Sequence, residues 1–364
     1  MNTTFTAMEV SNVTASPAIN PNHGKAGLKK YNSIDILRLL CAVMVVAIHT
    51  EPLTEYHNLS GYFATYIFPR LGVPFFFAVS GYFYINGLLQ GKKLFLKYIK
   101  RLLAIYTIWS LIYYLVDFLQ VIRNHGSIRE YAERSINNFF LSGSHYHLWF
   151  FPTLIFCVIV ATLFRKRLTL LSVISLLFYG IGCLAGAYYK LGSKIPFIHS
   201  LYNSDQLETV RRNLLMGLPF FLLGYIIIKL YPKLDKIKSK VLILAFCLIF
   251  ALFLAEIFIG KALNLQANII MTVFLYPLLA LVLILCLRYP LPQWELTARF
   301  CKVSANFMYY SHPLYMFIMS RAFTRLFDLT LSGTAEFLLT CLLTVLSSFI
   351  IYKINNRHLN KLVQ

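Results

Sequence analysis

Arg38 and His49 stand eleven positions apart in the otherwise apolar run I-D-I-L-R-L-L-C-A-V-M-V-V-A-I-H-T. Eleven residues make about three helical turns, so both side chains project from one face, roughly 16 Å apart along the axis. An imidazole titrates near neutral pH and can take a proton from a hydroxyl as general base. It can equally hydrogen-bond a neighbouring helix or reach for lipid headgroups. Asp35 sits one turn before Arg38. Glu51 follows His49 by two positions and is a candidate to orient it, although side chains at i and i+2 diverge on a helix.

Other groups could serve the same chemistry. Arg70 opens P-R-L-G-V-P-F-F-F-A-V-S-G-Y-F, where Pro74 is expected to kink the helix and Gly81 to admit a close neighbour. Lys97, Lys100 and Arg101, in G-K-K-L-F-L-K-Y-I-K-R, form a cationic helix start that suits either the inner membrane face or a phosphate. Trp149 follows His145 and His147, and His312 precedes Pro313 in S-A-N-F-M-Y-Y-S-H-P-L-Y. Arg70, Trp149, His312 and Glu256 are the candidates to bind substrate. H-x-H without a third ligand is a poor metal signal, and no C-x-x-C occurs among the seven cysteines, so no metal site is expected.

The elements that must position these groups follow from composition. The chain has 364 residues, 58% of them hydrophobic and only 13% charged, about half the share in soluble domains. Ten apolar runs lie near 33–50, 66–90, 98–122, 148–164, 168–189, 212–231, 241–260, 266–287, 303–321 and 334–354. They lack the two-residue alternation of a barrel, so the expected fold is all-α: a polytopic integral membrane protein with about ten transmembrane helices. Residues 1–30 read as a polar, disordered cytoplasmic tail, 31–355 as the transmembrane domain and 356–364 as a short cytoplasmic tail. Lys and Arg favour the connections on the N-terminal side 22 to 10, which places both termini in the cytoplasm of a multi-pass plasma-membrane protein. The +20 net charge is spread around apolar runs and forms no recognition helix, so a nucleic-acid partner is not expected.

Taken together, R-x10-H in the first run, P-F-F-F-A-V-S-G-Y-F in the second, the basic entry to the third, H-L-W-F-F at the fourth and the late Y-Y-S-H-P-L resemble the membrane acyltransferase 3 family across residues 33 to about 320. I-D-I-L-R, I-H-T-E-P-L and V-P-F-F-F also resemble the membrane domain of vancomycin-resistance-type serine racemases. As read, the chain leaves no room after its last run for a soluble racemase domain. The resemblance implies a bacterial O-acyltransferase that takes an acyl group, commonly acetyl, from cytoplasmic acyl-CoA. The acceptor would be a hydroxyl of an envelope polysaccharide or glycolipid. His49 becomes the catalytic histidine and Arg38 its motif partner. Lys97, Lys100 and Arg101 stand where the family's R-x-x-R motif receives the donor, with Ala104 in place of a following arginine. Acyl-CoA is then a substrate, with no tightly bound cofactor. The bilayer is the constant partner, and a separate partner enzyme or a second copy of the chain are further candidates. The alternative implied by the racemase likeness is serine or alanine uptake without acyl transfer, with His49, Glu51, Arg70 and Glu256 as zwitterion and proton sites.

Overall fold

The computed structural model describes residues 31–354; both expected tails, 1–30 and 356–364, lie outside the described residues. The described chain is a helical bundle with no strand. Its main helices are α1 (Asn32–Thr50), α2 (Asn58–Leu89), α3 (Phe95–Arg123), α4 (Ile128–Phe140), α5 (Phe150–Leu163), α6 (Leu168–Ala185), α7 (Asp205–Leu234), α8 (Ser239–Ala262), α9 (Leu275–Arg288), α10 (Glu295–Phe327) and α11 (Gly333–Ile354).

Each of the ten apolar runs contains a helix, although 266–274 at the start of the eighth is irregular, and among the described residues the helices differ in length and apolar character. Seven helical stretches are long and apolar enough to cross a bilayer, and eight if α9 and α10, bent against each other by 88°, make one broken span. For α10, 33 residues long, the shortfall is in apolar character; for α5 and α9 it is one of length. Helices α5 and α9 hold 14 residues each, which is about 21 Å of helix against a hydrocarbon core of roughly 30 Å.

Helices α2 and α7 form the centre: 61% of the most apolar stretch of each is buried, against 17% for α8 and α11. They can approach closely because glycine meets backbone at their crossing. A Cβ on Gly81 would overlap the Phe221 carbonyl, and one on Gly224 would overlap the Tyr82 amide. Small residues at such a contact let two helix backbones touch. Fully buried Phe75, Phe77, Phe220 and Phe221 fill the space around the crossing. The peripheral helices carry the lipid-facing surface, with Leu338, Leu342, Leu346 and Ile350 exposed at four-residue spacing along α11.

The expected kink at Pro74 occurs earlier in the chain. Helix α2 passes through a π-helical turn at Phe63–Ile67 and a 3-10 turn at Phe68–Leu71 before regular α-helix resumes at Gly72. Pro74 therefore falls in a first α-turn, where its missing N–H leaves no bond unmade. Helix α7 carries a second π-helical turn at Arg211–Gly217.

Candidate active site

At the His49 end of α1 the bundle encloses a cavity of about 450 Å³, within the size range of small-molecule sites. Its lining includes His49, Arg70, Trp149, Arg211, Arg212 and Tyr309, with Glu208 as the carboxylate. Three of the expected residues, His49, Arg70 and Trp149, thus share one wall system although they come from three different segments. Arg70 comes from the irregular stretch of α2, and Arg211 and Arg212 come from the π-helical turn of α7.

The histidines beside the cavity are organised by Pro313. A proline inside a helix has no N–H to give and crowds the carbonyl four residues back, here that of Tyr309, which needs another donor. In α10 the His312 Nδ1 lies 3.0 Å from the Met308 carbonyl and 3.1 Å from that of Tyr309. The Tyr310 carbonyl accepts from the Tyr113 hydroxyl at 2.6 Å and from His147 Nε2 at 3.2 Å. A carbonyl can only accept, so these contacts fix the tautomers. His312 carries its proton on Nδ1. His147 carries its proton on Nε2, so its Nδ1 accepts from His145 Nδ1 at 3.2 Å.

Two further bonds pin the loop that holds His145 and His147. The Tyr309 hydroxyl donates to the His147 carbonyl at 2.6 Å, and the Ser144 amide donates to the Tyr106 hydroxyl at 3.0 Å. Burial pushes the His145 imidazole down to about 4, helped by the neighbouring His49, and holds His147 well below its usual value. Both rings are neutral at neutral pH.

His147 and His49 both line the cavity, and His49 is the one whose ring nitrogens are not taken up by other groups among the described residues. It stacks on His312 with centroids 5.4 Å apart and planes 21° from parallel, and meets the Tyr146 ring edge-on at 4.8 Å. Among the described residues nothing hydrogen-bonds the His49 ring. Beneath it, His312 is fully buried and its Nε2 has no partner among the described residues. An imidazole held by stacking, open on one side to a cavity, suits proton transfer with a bound hydroxyl.

The arginines make the cavity cationic. Arg70 lies on the 3-10 turn of α2 and donates through Nε to the Tyr66 carbonyl at 3.0 Å. Arg212 pairs with Glu208, donates to the Ser142 carbonyl at 2.8 Å and lies 5.1 Å above the Trp149 ring. Arg211 donates to the Leu201 and Ser204 carbonyls. The π-helical turn brings Arg211 and Arg212 to the cavity. Their signal in the sequence is two adjacent arginines at the entry of an apolar run.

The remaining candidates lie elsewhere. Helix α1 is unbroken, so the separation from His49 persists and Arg38 does not line the cavity. It pairs with Asp35 at 2.6 Å and lies 5.9 Å over the Phe83 ring. The charges of Arg38 and Arg101 both act on Tyr98, Lys302 and Tyr310, which places the first turns of α3 near the Arg38 end. Lys97, Lys100 and Arg101 are exposed there. Glu51 ends α1 in a left-handed conformation and accepts from the Tyr66 hydroxyl at 3.1 Å, without contact to His49. Glu256 is buried and accepts from the Val273 and Phe274 amides at 2.6 and 2.9 Å and from the Tyr188 hydroxyl at 2.9 Å. It does not line the cavity; it ties down the connection whose Asn268, Ile270 and Met271 do.

Comparison with known proteins agrees with this picture of a membrane-embedded site. The family model of the acyltransferase 3 domain, described as an acyltransferase domain, matches residues 31–353. Two amino-acid racemases of Enterococcus faecalis are similar to the chain. One is 29% identical over 65% of this chain and 32% of the relative; the other is 27% identical over 79% and 41%. A serine/alanine racemase of Enterococcus gallinarum is 32% identical over 35% of this chain and 18% of its own length. The chain therefore spans well under half of these relatives. No solved structure matches it.

Proposed function

Because this chain belongs to the acyltransferase 3 family of membrane acyltransferases, we propose that it moves an acyl group, acetyl by preference, from acyl-CoA to a hydroxyl of an envelope carbohydrate or related acceptor, in a bacterial plasma membrane. The observation that carries the reading is His49 standing open at a cavity, supported by the stacked His312. In the reaction His49 takes the proton of the acceptor hydroxyl as its oxygen attacks the thioester carbonyl. The carbon–sulfur bond then breaks, and the thiolate leaves with a proton.

The excess of Lys and Arg favours a cytoplasmic Arg38 end. On this reading Lys97, Lys100 and Arg101, with Arg38, receive the phosphates of the donor, and its extended pantetheine arm spans the distance to His49. Arg38 acts in donor recognition and not on the reacting carbonyl. The amino-acid uptake reading has less support, because Glu256, one of its charge sites, is already occupied by three donors away from the cavity.

The test uses the purified protein in lipid vesicles with radiolabelled acetyl-CoA, wild type against His49→Ala. Thioester turnover that disappears in the variant is the expected result. Absence of turnover in wild type, with accumulation of labelled serine or alanine in the same vesicles, would transfer the site to uptake.

A further inference from the structure

Arg70 stands apart from the other arginines of the cavity in what it is paired with. Arg212 has Glu208, and Arg211 has two carbonyls. Arg70 spends only its Nε on the Tyr66 carbonyl, and among the described residues no carboxylate lies within 4.0 Å of it. Its fork is half-buried and lines the cavity. A cation removed from bulk water without a counter-charge is costly to maintain, and inside a membrane protein it marks a ligand or a pathway. Three arginines against one carboxylate leave the lining with an excess of two positive charges.

From this arrangement we infer that the molecule presented to His49 carries an anionic group, a carboxylate or a phosphate, seated on the Arg70 guanidinium. The two terminal nitrogens of a guanidinium match the two oxygens of such a group in a bidentate pair. Arg212 is held by Glu208 and Ser142 over the Trp149 ring and supplies the second positive wall. His49 lies on the same cavity, so a hydroxyl on the molecule whose acid group is held by Arg70 can be presented to the imidazole. Acylation of that hydroxyl rests on the acyl-transfer reading, whereas the anion site itself does not require it.

The chemistry has two sources, a soluble sugar acid or the phosphate of a lipid headgroup, and the experiment separates them. Full-length protein in neutral detergent is melted with glucuronate, with inorganic phosphate, or with glucose as the uncharged control. It is then melted in vesicles of phosphatidylglycerol or phosphatidylcholine. No acyl donor is present, so failed transfer activity and failed anion binding are separate results. Glucuronate or phosphate is expected to raise the melting temperature of wild type where glucose does not, by mass action on the folded state. Arg70→Gln is expected to weaken the apparent affinity about tenfold or more, the usual scale for a charge-assisted bond. Arg70→Lys should keep part of the shift, and Arg129→Gln, which removes an exposed charge on α4, should keep all of it. Protection by phosphatidylglycerol alone, lost in Arg70→Gln, would assign the anion to a lipid headgroup. Equal shifts with glucuronate and glucose, or shifts unchanged in Arg70→Gln, would overturn the inference. If Arg70→Gln without ligand melts far below wild type, Arg70→Lys takes its place, and its affinity must then fall between wild type and zero.

Discussion

The two ends of α1 deal with charge in opposite ways. At the Arg38 end the charges are paired or exposed: Arg38 has Asp35, and Lys97, Lys100 and Arg101 stand on the open start of α3. At the His49 end the loop imidazoles of His145 and His147 are kept neutral by burial, and His147 and His312 are held through ring nitrogens on carbonyls of α10. Exposed cations attract a polyanion at long range and are screened by salt. Neutral buried imidazoles have no long-range attraction but stand ready to accept a proton. Under the proposed function one helix joins a donor-recognition end to a reaction end, and the two should respond to different perturbations.

The sharpest break between them is expected from His49→Ala. Loss of a general base lowers turnover by about 10²–10⁴-fold, while binding of the donor measured by equilibrium dialysis should hold at the wild-type level. Lost donor binding in this variant would mean that the ends are not separable. Next in size is Glu256→Ala, which strands the Val273 and Phe274 amides and the Tyr188 hydroxyl. An orphaned donor costs about 1–3 kcal/mol when fully buried. With three of them, Val273 exposed and the other two half-buried, a loss of about 3 kcal/mol in denaturation is expected, near the low end of that range for each. The cavity wall should loosen while the basic end is spared.

A triple Lys97→Gln, Lys100→Gln, Arg101→Gln variant tests the other end. Exposed ion contacts contribute up to about 1 kcal/mol each, so the KM for donor should rise roughly tenfold or more with kcat nearly unchanged. The variant should also lose the salt dependence of KM that wild type shows. A fall in kcat instead would place these residues in the chemical step.

The smallest effect concerns pH. His145 titrates near 6.5 when unfolded but is held at about 4 when folded, because burial disfavours its charged form. The unfolded chain thus binds more protons between those values, and stability must fall as pH drops from 6.5 toward 4. Melting curves across that interval should show the decline, and a shallower one for His145→Gln. A flat profile would mean that the ring is open to water.

Much of this arrangement is legible in the sequence. Apolar runs separated by basic loops dictate a helical membrane protein, and the Arg38–His49 spacing follows from helical rise alone. The illegible part depends on contacts between distant segments. Arg211 and Arg212 look like loop charges until a π-helical turn directs them inward. Glu256 looks like an intramembrane functional acid until its three donors, supplied from two other segments, are seen. His145 and His147 look like a weak metal pair, yet their ring nitrogens are used on each other and on Tyr310. Hydropathy also registers an apolar run without reporting how long its helix is, so the 14-residue α5 and α9 read in the sequence like the longer helices.

The π-helical turn at Arg211–Gly217 carries one residue more than α-helix would need for the same advance. Each residue of an α-helix subtends about 100°. Deleting a single residue there would therefore let regular winding return and rotate everything N-terminal to it by that angle relative to Gly224 and its contact with α2. The apolar half of α7 would keep its place, while Arg211 and Arg212 would turn away from Trp149. In this sense the cavity's positive wall is a phase shift written into the helix, and a one-residue deletion could erase it without touching an arginine.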